Sequence, residues 1–172
     1  MVDRKTKMKF AHVVKAKGLD HYAVEILAKD LTDGLGYSKF TLKDDQEPAI
    51  KTLREAVTRR VIAIRGEGIQ VIPEESPVGE SESNGDAEAA VKQVQGQVRT
   101  LKCQLESRVK QVMPAGHNLM PWLVRHAGAT ISRYQKGRNG LTGYRRLRGR
   151  DYDCLLYPSY AADEKRGIDP DE

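Results

Sequence analysis

Residues 87–112 place an apolar side chain at every third or fourth position: Ala87, Val91, Val94, Val98, Leu101, Leu105, Val109 and Val112. On a helix this spacing makes one continuous stripe about seven turns long. Such a helix needs an apolar surface to lie on, and the pattern upstream supplies one. Met8, Phe10, His12 and Val14 alternate, which predicts a strand ended by Lys17-Gly18. Asp20 can cap a helix with Tyr22, Ile26, Leu27 and Leu31 on one face, and Gly34 and Gly36 are its stop signals. Tyr37–Lys43 reads as a second strand ending at Asp44-Asp45. Pro48 suits the first turn of a helix carrying Ile50, Leu53 and Val57. Ile69–Ile72 is a third strand, expected to end at Pro73. Strand, helix, strand, helix, strand and then long helices describe an α/β domain with a mixed sheet covered by helices.

Glu74 to Ser83 is a loop by composition, and Ser83-Asn84-Gly85-Asp86 has the residues of a helix start. Pro114 and Gly116 close the long helix. A further helix is expected over residues 117–134, with Leu119, Trp122, Leu123, Ala127, Ile131 and Tyr134 on it. A basic segment with Tyr144 and Leu147 follows, and the polar tail after Pro158 is expected to be disordered. At 172 residues the chain has room for one domain with a real core.

Charge is unevenly spread. The net charge is only +5. Yet Arg133 to Arg150 holds seven bases and no acid, whereas Glu74 to Glu88 holds six acids and no base. The basic run suits a polyanionic partner, or is simply a solvated face. Cys103 and Cys154 form no C-x-x-C pair, so no zinc site is expected, and two thiols fit a reducing compartment. The first residues lack the apolar segment of a signal peptide, and no run reaches membrane-spanning length. The expectation is an intracellular protein. His12, His21, His117 and His126 have no ligand spacing among them.

Two places could carry chemistry. Asp44-Asp45 ends a strand, and Glu88 falls in the first turn of the long helix. Carboxylates at a strand end and a helix start are how a two-metal site is assembled. Behind Glu88, at helical spacing, come Lys92, Gln95, Arg99 and Lys102. An acid at a helix N-terminus is also ordinary dipole complementation, and Glu88–Lys92 ordinary surface pairing.

The local sequence around these residues resembles the integrase cores of copia-like retrotransposons. Lys43-Asp44-Asp45-Gln46-Glu47-Pro48-Ala49 is similar to their K-S-D-N-E-P-A segment. Ser76-Pro77-Val78-Gly79 and Ser83-Asn84-Gly85-Asp86-Ala87-Glu88 are similar to their S-P-V-G…S-N-G-x-x-E segment. Val94-Gln95-Gly96-Gln97-Val98-Arg99-Thr100 looks like V-Q-G-x-x-R-T. Pro121-Trp122, Ala127-Gly128, Arg133-Tyr134 and Gly140-Leu141-Thr142-Gly143-Tyr144-Arg145-Arg146-Leu147-Arg148-Gly149 resemble the tail of the same cores. Each motif is weak alone. Their order across residues 2–152 is specific.

The resemblance implies a ribonuclease H-like fold in which three carboxylates hold two Mg²⁺ or Mn²⁺ ions and a 3′ DNA end is joined to target DNA. It puts the second carboxylate on Asp45, with Asp44 as the rival, and the third on Glu88. It makes Asn84, Lys92, Gln95, Arg99, Lys102, Arg145, Arg146 and Arg148 candidates for DNA contact. The first carboxylate would lie on a central strand preceding Val2-Asp3, and Asp3 itself matches a turn position. The expected organisation is therefore a partial core at 1–112 lacking its first strand, a helical and basic extension at 113–157, and a tail at 158–172. With one ligand missing, metal binding is expected to be weak and the chain inactive by itself. DNA is the expected partner, a homo-oligomer is compatible with an open sheet edge, and the nucleus is the expected location. Two departures stand out: Ala89 replaces a base usual after the Glu, and Arg145 an acid usual after the tail tyrosine. Two other readings remain: a non-catalytic nucleic-acid-binding remnant, and a helical interaction module over residues 87–134.

Overall fold

The computed structural model describes residues 1–44, 47–66, 68–75 and 85–153. The chain is mixed α/β, dominated by helix. Helix α1 spans His21–Lys29, and the Asp20 carboxylate caps it by accepting from Ala23 N–H. The helix then widens into a π-helical segment, Asp30–Leu35, and stops at Gly36, whose φ of 73° suits a residue without a Cβ. Strand β1 (Lys39–Asp44) leads to α2 (Pro48–Arg65), which begins on its proline, and then to β2 (Gln70–Glu75). Helices α3 (Gly85–Val109), α4 (Met120–Tyr134) and the short α5 (Gly143–Arg148) complete the order.

β1 and β2 form a two-stranded parallel sheet with Lys39 opposite Gln70 and Asp44 opposite Glu75. Gln70 N–H donates to Ser38 C=O at 2.8 Å. Bonds of a parallel pair fall on every second residue of each strand, so Phe40 and Leu42 turn their amides toward β2. Lys39, Thr41 and Lys43 turn theirs to the opposite edge. The same alternation explains why β2 runs through Pro73 instead of ending there. Position 73 makes no ladder bond, and its missing N–H falls on the outer edge.

The expected strand over Met8–Val14 does not form. Met1–Asp3 and Met8–Phe10 instead make a minimal antiparallel hairpin: a single Val2–Lys9 bridge, with Asp3 N–H donating to Met8 C=O (2.9 Å) and Phe10 N–H to Met1 C=O (3.0 Å). That parity points Lys9's amide and carbonyl outward. There the Ser132 hydroxyl of α4 takes both, accepting from Lys9 N–H at 2.8 Å and donating to Lys9 C=O at 3.2 Å. Gly128, one turn earlier, lets α4 come this close, because a Cβ there would lie 3.2–3.3 Å from Ala11 and the Lys9 carbonyl. Helix packing replaces strand pairing on that side.

The core is Ala28, Leu31 and Leu35 against Val57 and Val61 of α2, with Phe10, Phe40, Leu53 and Leu147 packed around it. Leu147 of α5 thus belongs to the same core as α1 and α2. The long apolar stripe is covered only in its middle. Val94, Val98, Leu101 and Leu105 are half-buried, while Ala87, Val91, Val109 and Val112 are exposed. Helix α4 starts three residues later than its pattern suggested, after a turn closed by His117 N–H on Pro114 C=O. The tail at 158–172 lies outside the described residues.

Candidate functional site

A groove of about 600 Å³ runs along β1. All six residues Lys39–Asp44 border it, and none from β2 does. A pocket on the face of a sheet meets alternate residues of a strand; consecutive ones mean that the groove follows the strand's edge. Its other wall is Met1–Lys5, again consecutive, and its floor is apolar: Leu27, Leu31 and Leu35 from the α1 side, Ile50, Leu53 and Val57 from α2. Asp86 and Ala87 of α3 border it as well. The end of β1 and the first turn of α3, far apart in sequence, therefore open onto one depression.

Asp3 closes the hairpin turn. Its carboxylate accepts from Lys5 and Thr6 N–H, from the Thr6 hydroxyl, and from the Tyr37 phenol at 2.9 Å. Burial and the Asp3 carboxylate push the Tyr37 hydroxyl up to about 12. Asp3 is thus a turn anchor, engaged on both oxygens, as its sequence position suggests.

Asp45 and Asn84 lie outside the described residues. Glu88 is in the first turn of α3, exposed, and makes no ion pair among the described residues. Asp86, two residues before it, is occupied: both of its oxygens meet Lys7 Nζ at 3.0–3.1 Å, and Arg4 stands 3.9 Å away. Asp44 is engaged too. Its Oδ1 accepts from Arg54 at 2.8 Å, with both side chains about nine-tenths buried. That pairing commits one oxygen of Asp44 to an internal guanidinium. Among the described residues no group of three His, Cys, Asp or Glu side chains could hold a metal ion.

The basic candidates divide into two sets. Lys92, Gln95 and Arg99 are exposed along α3, whereas Lys102 reaches Glu106 at 2.9 Å. Glu106 also accepts from Met113 N–H at 2.6 Å, and these two donors hold its carboxyl below the usual range. The arginines of α5 are occupied. Arg145 pairs with Asp151 at 2.9 Å. Arg146 donates to Thr6 C=O (3.2 Å) and Asn139 (2.6 Å), tying α5 to the hairpin. Arg148 donates to the Asp33 and Gly34 carbonyls (3.3 and 3.0 Å), an ideal partner for the end of the π-helical segment. The guanidiniums of Arg146 and Arg148 staple α5 to the hairpin and to the π-helical segment, whereas the Arg145 pair is local and exposed.

One pair had no signal in the sequence. His12 Nε2 meets Asp30 Oδ2 at 2.6 Å, with both side chains about nine-tenths buried. The residues stand eighteen positions apart in no motif, and only packing joins them. Cys103 is a free, exposed thiol, and Cys154 lies outside the described residues. No helix among the described residues is long and apolar enough to cross a membrane. No family model matches the chain, and no curated protein matches it either.

Proposed function

We propose that this chain is a partial catalytic core of a polynucleotidyl transferase of the retrotransposon-integrase kind, ribonuclease H-like in fold, binding DNA and acting in DNA integration. The observation that carries this reading is the groove. It separates a hairpin from the free edge of a parallel β1–α2–β2 unit, where the resemblance expects a central strand. Asp44, Asp86 and Ala87, the sequence neighbours of the expected ligands Asp45 and Glu88, are on its border.

In this reading Asp45 and Glu88 are the chain's own ligands for Mg²⁺ or Mn²⁺. Held there, Mg²⁺ or Mn²⁺ would supply Lewis-acid activation of an attacking oxygen and charge stabilisation of a leaving one. Glu88 suits the task because it is exposed and makes no ion pair among the described residues. The exposed Lys92, Gln95 and Arg99 continue from it along the helix and would track a DNA backbone; DNA as partner and the nucleus as place of action are what the resemblance implies. The reading assigns residues 1–172 two of the three carboxylates that the resemblance implies, so strand transfer is expected only from a form that also carries the first.

The test uses a fluorescent DNA duplex of about 30 base pairs. Weak binding with little sequence preference and a steep loss with salt is expected. Lys92→Gln with Arg99→Gln should flatten the slope of log K against log salt by about two, close to one unit for each phosphate no longer neutralised. Fusing a strand that carries an Asp ahead of Met1 should permit Mn²⁺-dependent strand transfer that Glu88→Gln abolishes. Strand transfer by the unfused chain, or a fused chain indifferent to Glu88→Gln, refutes the reading.

The exposed bases of α3 also favour the non-catalytic nucleic-acid-binding reading. That reading predicts the same salt slope and no strand transfer in any fusion.

A further inference from the structure

We propose that a second cavity, walled by residues 8–12, the π-helical segment, α4 and α5, binds a terminal phosphate, the phosphate monoester of a nucleotide or of a DNA 5′ end. The cavity measures about 340 Å³, at the small end of the range for small-molecule sites. It shares no lining residue with the groove beside β1, so the proposal stands whether or not that groove holds a metal.

Its charge is lopsided. Lys29, Arg125, Arg133 and Arg148 border it against Asp30 and Asp33. None of the four cations is neutralised by an acid among the described residues. Arg133 lies over the uncharged Tyr152 ring at 4.2 Å, and Arg148 spends one nitrogen on the Asp33 and Gly34 carbonyls. Lys29 and Arg125 are exposed and make no ion pair there. Four cations against two acids leave an excess of two, which matches the roughly −2 of a phosphate monoester near neutral pH. A backbone diester brings only about half that charge. Guanidiniums also grip phosphate oxygens in pairs, which suits a group with three free oxygens.

The His12–Asp30 pair gives the cavity a fixed polar wall. Asp30 holds the ring through Nε2 at 2.6 Å, with both side chains about nine-tenths buried. The other ring nitrogen, Nδ1, has no hydrogen-bond partner among the described residues. It is not sealed in either, since Asp44 Oδ2 is the one side-chain polar atom there that is both buried and unpaired. A clamped imidazole with one open nitrogen on the wall of a cation-rich cavity is placed to meet a phosphate oxygen. Phe10 and Tyr144 add aromatic surface for the sugar or base that the phosphate carries.

The probe is thymidine 5′-monophosphate, titrated into the full chain by calorimetry, with thymidine as its phosphate-free counterpart. The monophosphate should bind saturably and thymidine should not. In the native chain the monophosphate should shift the Nδ1 resonance of His12 and leave those of His21 and His117 in place. Arg125→Gln should weaken binding about tenfold, the loss of one charge-assisted hydrogen bond. Arg150→Gln makes the same charge change outside the cavity and should bind like the parent. Short DNA strands bearing a 5′-phosphate or a 5′-hydroxyl separate the two sources. A preference for the phosphorylated strand assigns a DNA end, and equal strands beside a bound monophosphate assign a free nucleotide. Failure of both the monophosphate and the phosphorylated strand to bind at this cavity overturns the proposal. So does thymidine binding as well as its monophosphate, an unmoved His12 signal, or an Arg125→Gln variant that binds like the parent.

Discussion

Replacing Ser132 by Ala tests how the hairpin is held, because that hydroxyl takes the place of a neighbouring strand. Ser132 is 2% exposed and makes two bonds to one residue, accepting from Lys9 N–H and donating to Lys9 C=O. Each such bond contributes about 1 kcal/mol net, and a donor left buried without a partner costs about 1–3 kcal/mol. Alanine's better helix propensity returns a few tenths of a kcal/mol. The expected loss is therefore about 2 kcal/mol, read as a lower urea midpoint at unchanged slope. Ser107→Ala is the matched control. It makes the same change on the same kind of element, but Ser107 is exposed on α3, so the variant should be neutral or slightly stabilised. A Ser132→Ala loss below about 0.5 kcal/mol would mean that water replaces the hydroxyl and that helix packing does not hold the hairpin.

Three further predictions concern titration and the α5 staples. Glu106 is depressed by Met113 N–H and Lys102, so its contribution is fully present above the ordinary carboxylate value and is lost as pH falls through the lower folded one. The protection factor of the Met113 amide, its exchange rate taken relative to the intrinsic one, should fall over that acid range in the parent, and a Glu106→Gln variant showing the same acid dependence would refute the assignment. Tyr37, raised to about 12, should be a late phase in an ultraviolet titration of the tyrosines, and Asp3→Asn should bring it down toward 10. The raised value means that stability from this pair is complete below the ordinary value and lost as pH rises through the folded one. Arg146→Ala should lower the urea midpoint, since it strips a donor from the carbonyl of the buried Thr6, while Arg150→Ala should leave it unchanged.

The helices were largely legible because their signals are local. Asp20 caps α1 as its position suggests, Pro48 opens α2, and the strands expected at Tyr37–Lys43 and Ile69–Ile72 overlap the observed β1 and β2. The failures have non-local causes. Met8–Val14 has a strand's alternation, but Gly128 and Ser132, over a hundred residues away, replace the pairing a strand would need. Pro73 looked like a terminator because its effect depends on which edge its nitrogen faces, and register decides that. The widening of α1 into a π-helical segment at Asp30 left no mark that periodicity could detect. In the candidate site, Glu88 was legible as a first-turn acid. The occupation of Arg146 and Arg148 was not, because their acceptors are carbonyls of Thr6, Asp33 and Gly34 that any residue could present. Asp44's pairing with Arg54 was equally hidden, because Arg54 sits on the next helix in no motif with it.

The most direct test of the central claim is paramagnetic broadening by Mn²⁺ in the amide spectrum of the full chain. If Asp45 and Glu88 share a cation, low Mn²⁺ should broaden the amides of Asp44–Glu47 and Gly85–Ala89 together. Mg²⁺ should compete, and either Asp45→Asn or Glu88→Gln should abolish both effects, while Asp44→Asn leaves them in place. Broadening at only one of the two segments, or at both in a Glu88→Gln variant, would contradict a shared metal site and with it the proposed transferase core.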